Sequence, residues 1–274
     1  MTKIKYPKIS IITPSYNQGD FLKQTIESVL SQNYPNIEYI IIDGGSTDDS
    51  VSIIKKFDKE IDYWVSEKDN GQTDAINKGL KVATGELVTW INSDDLLLPN
   101  SLFEISKIYL KSKPDLISAS CIRIDEKNKY LYTHCVPTQL KFFTKRGMIY
   151  IDQPGTFWNK DFLNNKFLDE NLEALMDHDL WYKLTLNNCK SVSLNYQTAA
   201  FRLHSQSKTA TIMKQFKKEE VLLRKKYINI EKPFFLSIFL YRLYKFGLGY
   251  YFKSFIKTKF PNRKLLNFLN NLKL

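Results

Sequence analysis

Two adjacent carboxylates, Asp94 and Asp95, follow the apolar run at residues 87–91. That run reads as a short buried strand, so the acids stand where it ends. Each carboxylate raises the pKa of the other unless a cation is close by. A hard divalent cation removes that penalty, and Mg²⁺ is typically held by one or two carboxylates together with substrate phosphates. The chemistry suggested is a metal–diphosphate site. The alternative is a helix cap, because residues 96–98 lead into Pro99, a residue suited to a first helical turn. A second acidic pair lies in Met176-Asp177-His178-Asp179-Leu180-Trp181. Leu180, Trp181 and Leu184 would pack as one helix face. Acids two residues apart point to different sides of a helix, so only one of them faces a cleft easily. This stretch is the second candidate chemical centre, with His178 a bystander.

The elements that must hold these acids can be read from the apolar runs. Residues 8–13 form a strand ended by Pro14, and 14–19 a loop. Phe21, Ile26, Val29 and Leu30 recur at helical spacing. Residues 37–42 are almost unbroken apolar, as a parallel strand covered on both faces requires. They end at Asp43 and a turn at 44–48. Thr47 is the expected N-cap of a helix through Val51, Ile54 and Phe57. A strand at 61–66, a polar loop at 67–72, a helix at 73–82 and the strand at 87–91 continue the alternation. This predicts an α/β fold with a parallel sheet and right-handed crossovers. Such sheets bind ligands beyond the carboxyl ends of their strands. Polar loops follow three of those ends, at 13–17, 43–48 and 92–95, and are expected to converge. Asp43 either caps a turn or accepts a hydrogen bond from a nucleobase or ribose.

Beyond residue 100, Leu102, Ile105, Ile108 and Tyr109 mark a helix, and 115–120 and 130–136 read as strands. Residues 142–150 are ambiguous. Gln153-Pro154-Gly155-Thr156-Phe157-Trp158 is a turn into an aromatic strand. Phe157 and Trp158 are either core or the border of a pocket.

The chain has 274 residues and 43% hydrophobic content, enough for one large domain or two halves sharing a cleft. Its net charge of +11 and isoelectric point of about 9.3 favour an anionic partner: a nucleotide, a membrane surface or a nucleic acid. Cys121, Cys135 and Cys189 are odd in number and widely spaced, so neither a disulfide framework nor a zinc site is suggested. Residues 1–7 lack the apolar core of a signal peptide, and no run approaches a membrane span. The expected location is cytoplasmic, with peripheral contact on the inner face of the cell membrane as an extension of that reading.

Four motifs stand in register: Thr13-Pro14-Ser15-Tyr16-Asn17, Asp43-Gly44-Gly45-Ser46-Thr47-Asp48, Asp69-Asn70-Gly71-Gln72-Thr73-Asp74-Ala75-Ile76-Asn77-Lys78-Gly79, and Asn92-Ser93-Asp94-Asp95. In order and spacing they resemble the family 2 glycosyltransferases of GT-A fold, similar to those of bacterial surface-polysaccharide assembly. The resemblance is strong over residues 8–100 and weaker to about 210. It implies a Rossmann-like, mostly parallel central sheet flanked by helices. It further implies inverting transfer of a sugar from a nucleotide-sugar, usually a UDP-sugar, with Mg²⁺ or Mn²⁺. Carried onto this chain, Thr13, Pro14, Ser15 and Tyr16 would line the uridine pocket. Asp43 would accept from the uracil, and Asp74 with the 69–71 turn would border the nucleotide. Asp94 would lie near the donor ribose or sugar and Asp95 would hold the metal. The family's D-x-D is here Ser93-Asp94-Asp95, which leaves the division of labour between the acids open. The family's Glu-Asp-x-Asp-Leu-Trp has Met176 in place of Glu, and Asp177 matches the general base, with Asp179 its rival. The segment Phe201-Arg202-Leu203-His204 resembles a later Arg-x-His. His204 would ligate the metal or touch the diphosphate, and Arg202 and Lys208 would clamp phosphate; a solvated loop is the alternative.

These readings divide the chain into a domain at 1–210, with a nucleotide-sugar half at 1–115 and an acceptor half at 116–210, and a C-terminal helical extension at 211–274. The extension carries Lys214, Lys217, Lys218, Arg224, Lys225 and Lys226. An apolar face follows, with Leu236, Phe239, Leu240, Leu243, Phe246 and Tyr250, and the basic residues resume at Lys253, Lys257, Lys259, Arg263 and Lys264. Basic amphipathic helices can lie in a membrane interface; packing on the catalytic domain is the alternative. The expected acceptor is a growing or lipid-linked glycan. Two rivals remain. A nucleotidyltransferase would show a glycine-rich basic loop after the first strand, which residues 13–17 lack. A nucleic-acid or membrane-binding module without catalysis would leave the acidic strand ends unexplained, and those acids repel phosphate backbones, so no nucleic-acid partner is expected.

Overall fold

The computed structural model describes residues 5–137, 140–164, 167–233, 235–247 and 263–272. The first half runs β1 (Ile9–Ser15), α1 (Gly19–Leu30), β2 (Ile37–Asp43), α2 (Ser50–Lys56), β3 (Tyr63–Ser66), α3 (Gln72–Val82), β4 (Leu87–Trp90), β5 (Leu96–Leu97) and α4 (Ser101–Ser112). The second runs β6 (Leu116–Asp125), β7 (Tyr130–His134), α5 (Leu140–Thr144), a 3₁₀ turn (Gln153–Gly155), β8 (Thr156–Asn159), α6 (Lys160–Leu163), α7 (Met176–Leu186) and β9 (Ser191–Leu203). Among the described residues the helices that follow are α8 (Lys208–Thr211), α9 (Met213–Ile228), α10 (Phe235–Gly247) and α11 (Arg263–Asn271).

One mixed sheet joins both halves in the order β3-β2-β1-β4-β8-β6-β9-β5, with β7 on β6. The first four strands in that order are parallel, and β1, β2 and β4 among them are buried almost throughout, as a sheet covered on both faces requires. β8 then pairs antiparallel with both β4 and β6 and welds the halves together. Trp158 of β8 stacks on Trp90 of β4, centroids 4.8 Å apart, and both are almost fully buried. Phe157 and Trp158 are therefore core. Two apolar layers, one around Ile12, Ile76 and Trp181 and the other around Ile11, Ile26 and Phe157, cover the faces of the sheet.

Several local expectations are corrected. β1 does not stop before Pro14 but runs to Ser15, pairing Pro14 with Ile42. Beyond the Ile12–Trp90 pair β4 no longer flanks β1, so the missing proline N–H costs little there. Thr47 does not cap α2. The helix starts three residues later, where the Asp48 carboxylate accepts from the Ser50 N–H, and the Thr47 N–H donates to Asn17. Asp94 and Asp95 do not cap a helix: residues 96–97 form β5 on β9, and α4 starts at Ser101. α9 lies on α7, with Leu223 in the larger core layer. Tyr250, Lys253, Lys257 and Lys259 lie outside the described residues.

Candidate active site

The register across β1, β2 and β3 puts Ser15, Asp43 and Ser66 in one row at the carboxyl edge of the sheet. Beyond that edge opens a cavity of about 600 Å³. Its lining includes Pro14, Ser15 and Tyr16 after β1, Asn92, Ser93 and Asp94 after β4, and Met176, Asp177 and His178 at the start of α7. The polar loops do converge, and they meet the second acidic pair.

Other expected residues stand behind the wall. Thr13 is buried, its hydroxyl 3.1 Å from that of Tyr39. Asp43 is buried and folds its own loop: its carboxylate accepts from the Gly45 and Ser46 N–H groups and from the hydroxyls of Ser46 and Ser66. Asp74 accepts from the Asn70 N–H and pairs with Lys78 at 3.6 Å, which shapes the turn before α3. That turn brings Asp69 into the cavity wall, where burial, and more weakly the charge of Asp74, push its carboxyl up. Gly44 makes this possible, since a Cβ there would meet the Asp69 carboxylate at 2.6 Å.

The acidic loop after β4 is braced from two sides. The Thr25 hydroxyl of α1 donates to the carbonyls of Ser93 and Asp95, 2.8 Å each. Arg202 of β9 is fully buried. Its N–H donates to Asp95 Oδ1, and its guanidinium reaches the Asp94 carbonyl, Asn128 and Gln24. Arg202 thus stands behind the acids rather than at the phosphate-clamp position read from the sequence, because β9 pairs with β5 and points it inward. Asp95 is 1% exposed, and burial together with the charge of Asp94 drives its carboxyl well above the usual range. Asp94 faces the cavity, and its Oδ2 lies 3.0 Å from Nε2 of His204. His204 also packs on Phe21.

α7 divides its two acids as the spacing predicts. Asp177 lines the cavity, and its Oδ1 accepts from the His178 N–H. Burial raises its pKa, only partly offset by His178 and Lys208. Asp179 is fully buried and faces away, accepting from Lys226 and Tyr227 of α9 and pairing with Lys183. The loop before α7 is fixed by Glu219 of α9, whose carboxylate accepts the N–H groups of Glu173, Ala174 and Leu175 at 2.8–3.0 Å. The basic residues of this helix, Lys214 to Lys226, mask that acid in the sequence. The signal was an acid on the same inward stripe as Phe216, Leu223 and Tyr227. Lys208 lines the cavity, 3.2 Å from Gln72, with its pKa lowered by burial.

Among the described residues no three His, Cys, Asp or Glu side chains form a complete cage for a metal ion. The Asp94–Asp95 pair does suit a hard cation that takes its remaining ligands from a substrate: Asp94 lines the cavity, and Asp95 lies buried directly behind it, its charge disfavoured first by burial and then by Asp94. Asp95 Oδ2 makes only a 3.4 Å contact, to Asn92.

The Glycosyl transferase family 2 model matches residues 10–164, more than half of the chain, and the chain belongs to that family. A GT-A glycosyltransferase is therefore the class that fold and site define, and the nucleotidyltransferase and non-catalytic readings are not favoured. An uncharacterized glycosyltransferase of Rickettsia bellii is 31% identical over 65% of this chain, which spans 27% of that protein's length. GlyG, a glycosyltransferase of Streptococcus pneumoniae, is 33% identical over 45% of the chain and 42% of its own length. TarS of S. aureus, solved with UDP, superposes with a TM-score of 0.64 at 18% identity, covering 82% of this chain and 67% of that one. The mannosyltransferase PcManGT of Pyrobaculum calidifontis, solved with GDP-Man and Mn²⁺, gives 0.64 at 16%, covering 84% and 66%. At such identities the two structures speak to the fold alone. Among the described residues no helix is long and apolar enough to cross a membrane.

Proposed function

We propose that this chain transfers a sugar, with inversion, from a nucleotide-sugar to an acceptor hydroxyl. The observation that carries this is a single cavity lined by Asp94, with Asp95 buried next to it, from one half of the sheet and by a raised-pKa carboxylate, Asp177, from the other. The donor is a UDP-sugar, in keeping with UDP bound by the neighbour TarS. Its base lies toward Pro14, Ser15, Tyr16 and Asp69, with Asp43 and Asp74 shaping those loops. The acceptor is a growing or lipid-linked glycan entering at the α7 end, and the C-terminal segment makes peripheral membrane contact.

Asp177 takes the proton from the acceptor hydroxyl as its oxygen bonds to the anomeric carbon. The bond from that carbon to the diphosphate breaks on the opposite face, and the nucleoside diphosphate leaves with the electron pair. A raised pKa makes Asp177 a stronger base than an exposed carboxylate. Lys208 balances charge on the departing phosphate. Asp94 and Asp95, with His204 orienting Asp94, would hold Mn²⁺ or Mg²⁺, which when bound supplies Lewis acidity to the diphosphate. Arg202 acts from behind by fixing Asp95.

Isothermal titration of UDP, with and without Mn²⁺, tests the reading on wild type and Asp95→Asn. Metal-dependent UDP binding abolished by the substitution is expected. Absence of UDP binding under both conditions would refute the donor assignment.

A further inference from the structure

We infer that α10 is the membrane-docking element of this protein, and that it seats on an anionic lipid surface with its apolar side chains inserted. The inference builds on the peripheral contact proposed above and names the surface that makes it. Phe235, Leu236, Phe239, Leu243 and Phe246 are 86%, 63%, 50%, 48% and 78% exposed. At 3.6 residues per turn these five positions fall within an arc of about 100°. Single exposed apolar residues are ordinary, but five large ones on one arc of a 13-residue helix are a contiguous patch of the kind that marks an interaction site. Ile238 lies outside that arc and packs on Phe143 and Met148. The helix is thus held to the acceptor half by one side and presents the other outward.

Charge selects the partner. Residues 211–274 hold 15 Lys and Arg against 3 Asp and Glu, a net of +12, whereas residues 1–210 hold 25 against 26, a net of −1. The entire positive balance of the chain therefore resides in the segment that carries the apolar arc. Exposed Lys232 and Arg242 flank that arc. Juxtaposed basic and apolar groups match the interface of an anionic bilayer, where charge attracts and apolar burial holds. A second copy of the chain would bring a like charge of +12 against this face. The same placement orients the enzyme. Ile238 and Pro233 share a small crevice with His178 and Tyr182 of α7, so the membrane-facing helix borders the Asp177 end of the catalytic cavity. An acceptor carried on a lipid would enter from that side.

The test is co-sedimentation of the full chain with phosphatidylcholine vesicles and with vesicles that also contain phosphatidylglycerol. Wild type should bind the anionic vesicles at least about tenfold more tightly than the neutral ones. A triple variant, Phe235→Ser/Phe239→Ser/Phe246→Ser, should lose about tenfold or more of that binding with its melting temperature and UDP affinity unchanged. Three results would overturn the inference. One is anionic binding that the triple variant retains in full and high salt abolishes, which would mean charge alone. Another is equal binding to both vesicle types. The third is no vesicle binding together with a wild-type oligomer that the triple variant dissolves, which would make the face a protein interface. Because UDP affinity is read separately, a failure here leaves the donor reading standing, and the reverse also holds.

Discussion

Glu219 is the residue whose loss should say most about how the base is held. One carboxylate takes three consecutive backbone N–H groups ahead of α7, at 2.9, 3.0 and 2.8 Å, and Gln215 braces it from the same helix. Ala174 and Leu175 are buried and Glu173 is exposed, so Glu219→Ala would leave two N–H groups without water or protein partners. An orphaned buried donor costs about 1–3 kcal/mol, so the change should cost roughly 3–4 kcal/mol. For a chain of this size about 1 kcal/mol moves the melting temperature by about 2–4 °C, which gives a fall of roughly 8–12 °C. Glu219→Gln keeps one oxygen for Ala174 and Leu175 and should cost only about 1 kcal/mol. The loop leads straight into Asp177, and an error of about 1 Å in a reacting group can cost about a hundredfold in rate. The assay pairs thermal melts with nucleotide release from a UDP-sugar and with UDP titration. The alanine variant should lose turnover while UDP affinity, set by the loops after β1 and β4, holds within about twofold; the glutamine variant should recover most of the rate. A Glu219→Ala protein that melts within about 2 °C of wild type would refute the argument that this carboxylate fixes the loop.

Other consequences can be checked with similar tools. Asp177→Asn should lower turnover by about 10²–10⁴-fold while UDP still binds; near-normal turnover would show that another group is the base. The same variant should melt higher at neutral pH. Burial raises the Asp177 pKa, so the native state binds that proton more tightly than the unfolded chain, and stability falls as pH rises through the folded pKa. Acid should act in the opposite sense at two other sites. Burial alone would raise Asp152 and Glu38, but His134 and Arg123 hold the first at about 2, and Lys8, Ser10 and Thr84 the second at about 2. Their stabilisation is complete above the ordinary carboxylate value of about 4 and is lost as pH falls toward about 2, so melting temperature should drop across that window. Asp152→Asn should flatten the drop, and a melting temperature independent of pH there would count against both networks.

How far the sequence carries depends on which physical property each feature rests on. The parallel half was readable because strands buried on both faces need unbroken apolar runs, and residues 37–42 supply one. The spacing of Asp177 and Asp179 foretold that they would diverge, since a helix turns two neighbouring positions to different sides. Direction relative to the cavity was not readable elsewhere. Asp43, Asp74 and Arg202 lie at the ends of elements beside the cavity and have the right chemistry, but each spends its side chain on the protein behind the wall. A strand-end residue can point either way, and only the long-range pairings, Leu96 with Ala200 and Ser15 with Asp43, settle which. Residues 96–97 were unreadable as a strand for the same reason: two residues have no periodicity, and their partner lies about a hundred positions away. Glu219 was hidden by composition, one acid in a helix that otherwise reads as basic and solvated.

The acids of this site come in pairs with a common logic. Asp94, Asp177 and Asp69 reach the cavity, and each has a second acid one, two or five residues on that turns inward: Asp95, Asp179 and Asp74. Each inward acid is held by its own partner: Asp95 by the backbone N–H of Arg202 on β9, Asp179 by Lys226 on α9, and Asp74 by Lys78 one turn further along α3. Leaving a buried polar group without such a partner is costly, so the inward acid can move little. The outward acid, fixed to it through one short stretch of backbone, inherits that rigidity while its own carboxylate still faces the cavity. Carboxylates left on loose loops would be poorly aimed. Dividing the two tasks between neighbours lets β9 and α9 anchor the acids from outside their own segments, and α3 from within its own, while the outward groups stay at the cavity. On this view α9 belongs to the catalytic machinery, although its composition alone assigns it to the tail.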